Sequence, residues 1–305
     1  MNGTLSKIAF VFFCAASAAI GQDKKLDAAK IDELSGLKGK FNEQENVYKV
    51  SSPRTDLKIS VDKWQMPPFM GLTSWAAFMP GMKGEAMVMG DLVLMQDEVN
   101  PVMSAALEHG LQVTALHNHF FYDEPKVYFM HIGGEGRTDT LAKGVRVALD
   151  TVKEIRAGSR EPAQSFRGSS IPARSTVSPE PLQKILGAKG ESKDGMFKAV
   201  FGRKVKMPCG CEVGKEMGVN TWAAFAGSDE NAVVDGDFVV LEDELQPALK
   251  SLRKSGINIV AIHHHMTGEE PRTIFFHYWG RGHAQNLATA VATALKATKT
   301  AAAQL

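Results

Sequence analysis

Short period-two runs punctuate the first half of the chain. "VYKV" (47–50), "LKISV" (57–61), "SWAAF" (74–78) and "AMVM" (86–89) place apolar residues at alternating positions, the spacing of a strand with one buried face. "DLVLM" (91–95) is nearly continuous and reads as a more deeply buried strand. Then the period changes. Val99, Val102, Met103 and Leu107 recur at helical spacing, after Asp97 as a cap and before Gly110 as a stop. "LQVTALHNH" (111–119) and "KVYFMHI" (126–132) return to strand character around the turn "FYDEP" (121–125). A helix predicted over Thr138–Ile155 closes the pattern, and another over Ala28–Leu37 opens it.

The same succession follows again. A helix over Pro179–Leu186, with Ser178 as cap and Pro179 at its first position, precedes the runs "FKAVF", "TWAAF" and "NAVV". The segment "GDLVLMQDEVNPVMSAALEHGLQVTA" (90–115) overlays "GDFVVLEDELQPALKSLRKSGINIVA" (236–261) without a gap, at a shift of 146 residues. "SWAAF" meets "TWAAF" at a shift of 147, and "GLKG" (36–39) meets "GAKG" (187–190) at 151. The repeated unit is too long for a solenoid and implies a tandem domain duplication. The expected organisation is a leader over 1–21, a first repeat over 22–156, a linker over 157–180 and a second repeat over 181–305. The linker is rich in Ser, Pro and Arg and lacks apolar periodicity. The expected fold class is α+β: a duplicated ferredoxin-like-type β-α-β-β-α unit with extra N-terminal strands.

Composition narrows the function classes. The chain is 44% hydrophobic and 23% charged, ordinary values for globular protein. A net charge of +1 lacks the basic footprint of a nucleic-acid binder. Lys7 followed by an apolar run from Ile8 to Ile20, with small residues before Gln22, has the form of a secretory signal peptide. The run is shorter than the roughly 20 residues a membrane span needs. The expected location is therefore secreted or periplasmic, with no membrane span after cleavage. Cys14 follows Phe13 rather than a small residue, which argues against a lipid anchor. Cys209 and Cys211 remain beyond the leader, as a local disulfide, a thiolate pair for metal or two plain thiols.

The candidate chemistry lies in "LHNHFFYDEPKVYFMH" (116–131) and its copy "IHHHMTGEEPRTIFFH" (262–277). Of nine histidines, six occupy the repeated positions 117, 119, 131, 263, 265 and 277, and Glu124 and Glu270 also correspond. Residues two apart on a strand share a face, so His117 projects with His119 and His263 with His265. A register pairing His119 with Val127 adds His131 to that face; a one-residue slip removes it. His117, His119, Glu124, His131, His263, His265, Glu270 and His277 are the candidate metal ligands, suited to Zn²⁺, Fe²⁺, Cu²⁺ or Mn²⁺. Glu124 or Glu270 is also the candidate general base, and Lys126 and Arg272 are candidate anion contacts. Two other readings stand beside the metal site: a metal-free acid–base or anion site, and histidines that only brace the hairpin.

Trp75 and Trp222 read as core. Asp91 and Asp237, each after a glycine at a strand start, read as turn residues. Glu98 and Glu244 suit a helix's first turn. The seven methionines between Met66 and Met95 read as core filler, with a copper-handling surface as the alternative.

"GDLVLMQDEVNPVMSAALEHGLQVTALHNH", the "EEPR" turn (269–272) and "FFHYWG" (275–280) resemble the LppY/LpqO family of bacterial secreted proteins and lipoproteins. The resemblance spans both repeats and implies export and this domain type, but no activity. The functional expectation is a secreted protein with a histidine-rich, metal-binding site in each repeat, taking a metal ion or small ligand. The alternatives are a metal-assisted hydrolase and a structural envelope protein without a site.

Overall fold

The computed structural model describes residues 26–298. The leader expected over 1–21 lies outside them. The first half contains α1 (Ala28–Ser35), β1 (Lys40–Asn42), β2 (Val47–Pro53), β3 (Ser60–Val61), β4 (Trp64–Gln65), β5 (Thr73–Pro80) and β6 (Ala86–Met95). It continues with α2 (Val99–Glu108), β7 (Gln112–His117), β8 (Asp123–Glu124), β9 (Val127–Gly136) and α3 (Thr138–Gly158). The second half begins with α4 (Pro179–Leu186), β10 (Gly190–Lys193), β11 (Met196–Gly202), β12 (Val205–Lys206), β13 (Glu212–Val213) and β14 (Asn220–Gly227). It ends with β15 (Ala232–Leu241), α5 (Glu242–Lys254), β16 (Asn258–His263), β17 (Thr273–Gly282) and α6 (Ala284–Lys296). None of these helices is long and apolar enough to cross a membrane.

The ferredoxin-like expectation is overturned. Instead of paired β-α-β-β-α units, a single antiparallel sheet of 12 strands runs through both halves, in the order β1-β2-β5-β6-β9-β7-β16-β17-β15-β14-β11-β10. The strands expected as N-terminal extras are integral to it. The physical reason lies at the centre. β7 and β16 would each be an exposed sheet edge in an isolated unit, and each instead covers the other. They meet at Leu116 and Ile262, both buried.

Beyond that bridge the two strands are joined by side chains. Asn100 of α2 donates to the Ile259 carbonyl at 3.0 Å and accepts from its N–H at 2.7 Å. Gln246 of α5 does the same for Val113, at 2.8 and 3.0 Å. Asn100 and Gln246 correspond under the 146-residue shift, so each half caps the other's open strand edge.

Alternation decides the two faces. In β5, Ser74, Ala76 and Phe78 are buried, while Trp75 and Ala77 between them are half-buried. One continuous apolar cluster, with Ile31, Val102, Leu141, Leu182, Leu245 and Leu287 from the six helices, lies between helices and sheet. The opposite face carries none of the six α-helices, only short 3-10 turns at Pro68–Met70 and Lys215–Met217. It holds two small clusters instead: Ile59, Met66, Leu72, Val93, Met95, Val127 and Phe129 in the first half, and Val205, Val219, Val239 and Phe275 in the second.

Several residues depart from their expected places. Trp75 and Trp222 are not core: they lie on the helix-free face, beneath Lys49 and Lys198 ammonium groups 4.2 and 4.4 Å from the ring centres. Met70, Met79, Met82, Met87 and Met89 are exposed, while Met66 and Met95 fill the small cluster. Asp97 binds Arg156 rather than capping α2, and the Ser178 hydroxyl donates to Asp229 at 2.6 Å. Glu98 and Glu244 do more than complement a helix dipole. Each is buried against an arginine, Glu98 in a two-pronged contact with Arg54 at 2.7 and 3.0 Å and Glu244 with Arg203 at 2.8 and 3.2 Å.

Candidate metal centre

The hairpin register decides which side chains meet. His117 lies opposite Phe129 and Ala115 opposite His131; in the second half His263 lies opposite Phe275 and Ala261 opposite His277. Bulges between Val113 and Ala115, and between Ile259 and Ala261, change the parity of the strand. Val113 and Leu116 both reach the core as a result, and His117 turns to the helix-free face beside His131.

The next strand supplies an aspartate expected at a turn. Asp91 is the cross-strand neighbour of His131 and of Trp75; Asp237 holds the same place between His277 and Trp222. Cross-strand neighbours share a face, so a carboxylate sits within the imidazole cluster. The preceding glycine makes room on the opposite, core face for Tyr278. A Cβ on Gly236 would lie 2.3 Å from the Tyr278 hydroxyl, and that hydroxyl donates to the Trp222 carbonyl at 2.9 Å. The retention of Gly-Asp in both halves was the signal that could have marked Asp91 and Asp237.

In the second half the groups converge. Asp237, His263 and His265 each offer a ligand atom, all within 4.8 Å of one another. His265 Nε2 lies 3.1 Å from His263 Nε2 and 3.1 Å from Asp237 Oδ2. Tetrahedral coordination at about 2.0–2.1 Å separates adjacent ligand atoms by roughly 3.3 Å, and the two 3.1 Å separations at His265 are close to that. His265 Nδ1 donates to the Gly218 carbonyl at 3.2 Å, which leaves the Nε2 lone pair directed at the carboxylate. Two acceptors facing each other call for a cation or a shared proton between them. Asp237 Oδ1 is buried with no hydrogen-bond partner.

Electrostatics agrees with that demand. Burial pushes the Asp237 carboxyl above its usual range, opposed by His277 and His265. Burial, assisted by His277 and His265, pushes His263 down to about 4. His263 is therefore neutral at physiological pH, the form that ligates metal. His277 stacks on His263 at 4.8 Å between ring centres and donates Nδ1–H to the Gly236 carbonyl at 3.3 Å.

The first half places the same residue types differently. His117 and His119 stack nearly parallel, 5.1 Å apart at 12°, and His117 lies 5.2 Å from His131. His119 lies flat on Phe129 at 3.4 Å, with Phe120 edge-on to it at 5.8 Å. Burial, with His117 adding, lowers the His119 pKa. Among the described residues only the second-half trio forms a group close enough to share one ion.

The expected glutamates are outside that group. Glu124 is exposed on β8, paired with Ser60, and Glu270 is exposed, its backbone bridged to Lys206. The carboxylate within the group is that of Asp237. The acidic residue preceding each glutamate shapes the turn: Asp123 accepts from Val127 N–H at 2.7 Å and Glu269 from Thr273 N–H at 2.8 Å. Lys126 is tied to Asp123 at 3.1 Å, and Arg272 lies 4.0 Å from Glu242. Cys209 and Cys211 are free, exposed thiols.

A family model described as a Domain of Unknown Function (DUF1259) matches the chain twice, over residues 29–151 and 180–297. No curated protein matches it. Among solved structures, a trimeric bacterial microcompartment shell protein, PduB, aligns at 10% identity over 87% of this chain and 92% of its own. Its TM-score is 0.22, too low to carry an argument.

Proposed function

The chain belongs to the Domain of Unknown Function (DUF1259) family, and we propose that it is a transition-metal-binding protein whose working centre is in the second half. Asp237, His263 and His265 are the ligands, and His277 braces His263 from the side. The observation that carries this reading is the convergence of two imidazole nitrogens and a carboxylate oxygen within 4.8 Å. One carboxylate and two imidazoles suit Zn²⁺, Fe²⁺, Cu²⁺ or Mn²⁺. Three protein ligands also leave a coordination position for water or a small ligand, the arrangement that hydrolytic metal sites use. A hydrolase would then rely on the metal-bound water, since neither expected glutamate base belongs to the group.

The test is elemental analysis of protein purified without a polyhistidine tag, before and after loading with Zn²⁺. Metal is expected in the wild type and in His119→Ala, and lost in His265→Ala. No metal in the loaded wild type, or undiminished metal in His265→Ala, would overturn the assignment.

A further inference from the structure

A cavity of about 720 Å³ opens where β16 parts from β7. That is the size of a site for a small organic molecule, far larger than an ion needs. Val99, Pro101, Ile259, Val260 and Trp279 give it apolar walls, and the linker at Ser165–Arg167 forms another side. His277 also lines it, so the cavity adjoins the metal centre.

Arg253 and Trp279 both line this space. Arg253 is held by neutral groups only: its Nε donates to the Ser104 hydroxyl at 3.1 Å, and its Nη1 to the Ile257 carbonyl at 2.6 Å and to Asn258 Oδ1 at 3.2 Å. No carboxylate pairs with it among the described residues. Burial pushes its pKa down to about 10, which leaves it a cation at neutral pH. A half-buried cation beside apolar walls is stabilised by an anion that brings its own apolar body. Of the two carboxylates on the lining, Asp97 is taken by Arg156 and by the Ala163 N–H at 3.0 Å, and Asp235 is exposed. The first half lacks the equivalent equipment. Under the 146-residue shift Leu107 stands for Arg253 and Gly133 for Trp279.

We propose that this cavity binds an amphipathic organic acid, with its carboxylate on Arg253 and its apolar body against Pro101, Ile259, Val260 and Trp279. The site is independent of the metal reading, because none of these contacts requires an ion.

Calorimetric titration of chelator-treated protein tests it, with phenylbutyrate and the corresponding phenylbutanol as probes. Saturable binding of the acid is expected, with the alcohol weaker by about tenfold, because a hydrogen bond to a charged group is lost. Arg253→Met should weaken the acid about tenfold, the loss of the charged contact. Val260→Trp fills the cavity and should abolish binding; it serves as the control if Arg253→Met does not fold. Absence of acid binding, equal affinity for acid and alcohol, or unchanged affinity in Val260→Trp would overturn the proposal. Chelation keeps these outcomes separate from the metal assay, which reads bound ion and not acid.

Discussion

His117, His119, His131 and Asp91 are repeated residue for residue as His263, His265, His277 and Asp237, yet the two sets are arranged differently. The ring separation is the same, 5.1 Å between the paired imidazoles of each H-x-H. The tilt differs: 12° in the first half and 44° in the second. Both distal histidines stack on a phenylalanine, His119 on Phe129 and His265 on Phe275. What separates them is the next residue and a carbonyl. Phe120 packs edge-on against both His119 and Phe129, whereas Met266 fills that place in the second half. The Gly218 carbonyl accepts from His265 and turns its Nε2 toward His263 and Asp237. Identical residue types converge on one point only when their neighbours rotate the rings edge to edge.

The largest expected effect concerns the frames beneath the two sites. Breaking a buried ion pair typically costs about 3–5 kcal/mol, because the remaining charge is stranded. Glu98→Ala should cost more than Glu244→Ala in denaturant melts. Glu98 also holds Arg156, whose Nε lies 2.9 Å from Oε1, in addition to Arg54. Equal losses would show that the extra arginine contributes nothing.

A second experiment tries to convert one site into the other. Phe120→Met removes the aromatic edge that holds His119 parallel to His117. In a His265→Ala background, where the second-half site is disabled, elemental analysis after Zn²⁺ loading should recover part of the bound metal. If none returns, the Gly218 carbonyl rather than the adjacent side chain sets the tilt.

The smallest effect is on acid stability. The folded pKa of His263 is about 4, below its usual 6.5. Between those values the unfolded chain binds a proton that the folded protein refuses, so metal-free protein loses stability as pH falls from about 6.5 to about 4. Asp237, shifted upward, acts in the opposite sense. His263→Gln should flatten the decline over this window, measured by thermal melts at stepped pH. His119→Gln should flatten it less if the first-half ring is the weaker contributor, and an equal flattening would erase the distinction between the sites.

Part of this architecture was legible. The two halves and the helix spans followed from apolar period and from the ungapped overlay of 90–115 on 236–261, whereas the single sheet and the face of Trp75 and Trp222 did not. The repeated histidines stood out because neighbours such as Phe120 and Met266 had diverged around them. Hairpin register was reducible to two choices, since a strand has only two faces. Asp91 and Asp237 were visible as a repeated Gly-Asp but not as partners of the histidines, because strand order is set by pairing across the sheet and not by local period. The same limit hid the joining of β7 to β16. It also hid the exposure of Met79, Met87 and Met89, whose apolarity looks alike in a core and on a bare sheet face. The sequence alone thus determined which side chains were available and which faces they could occupy. Tertiary structure decided the sheet continuity, the carboxylate that meets the imidazoles, and the ring rotation that separates a stacked trio from a converging one. Those depend on neighbours distant in the chain, and no local pattern encodes them.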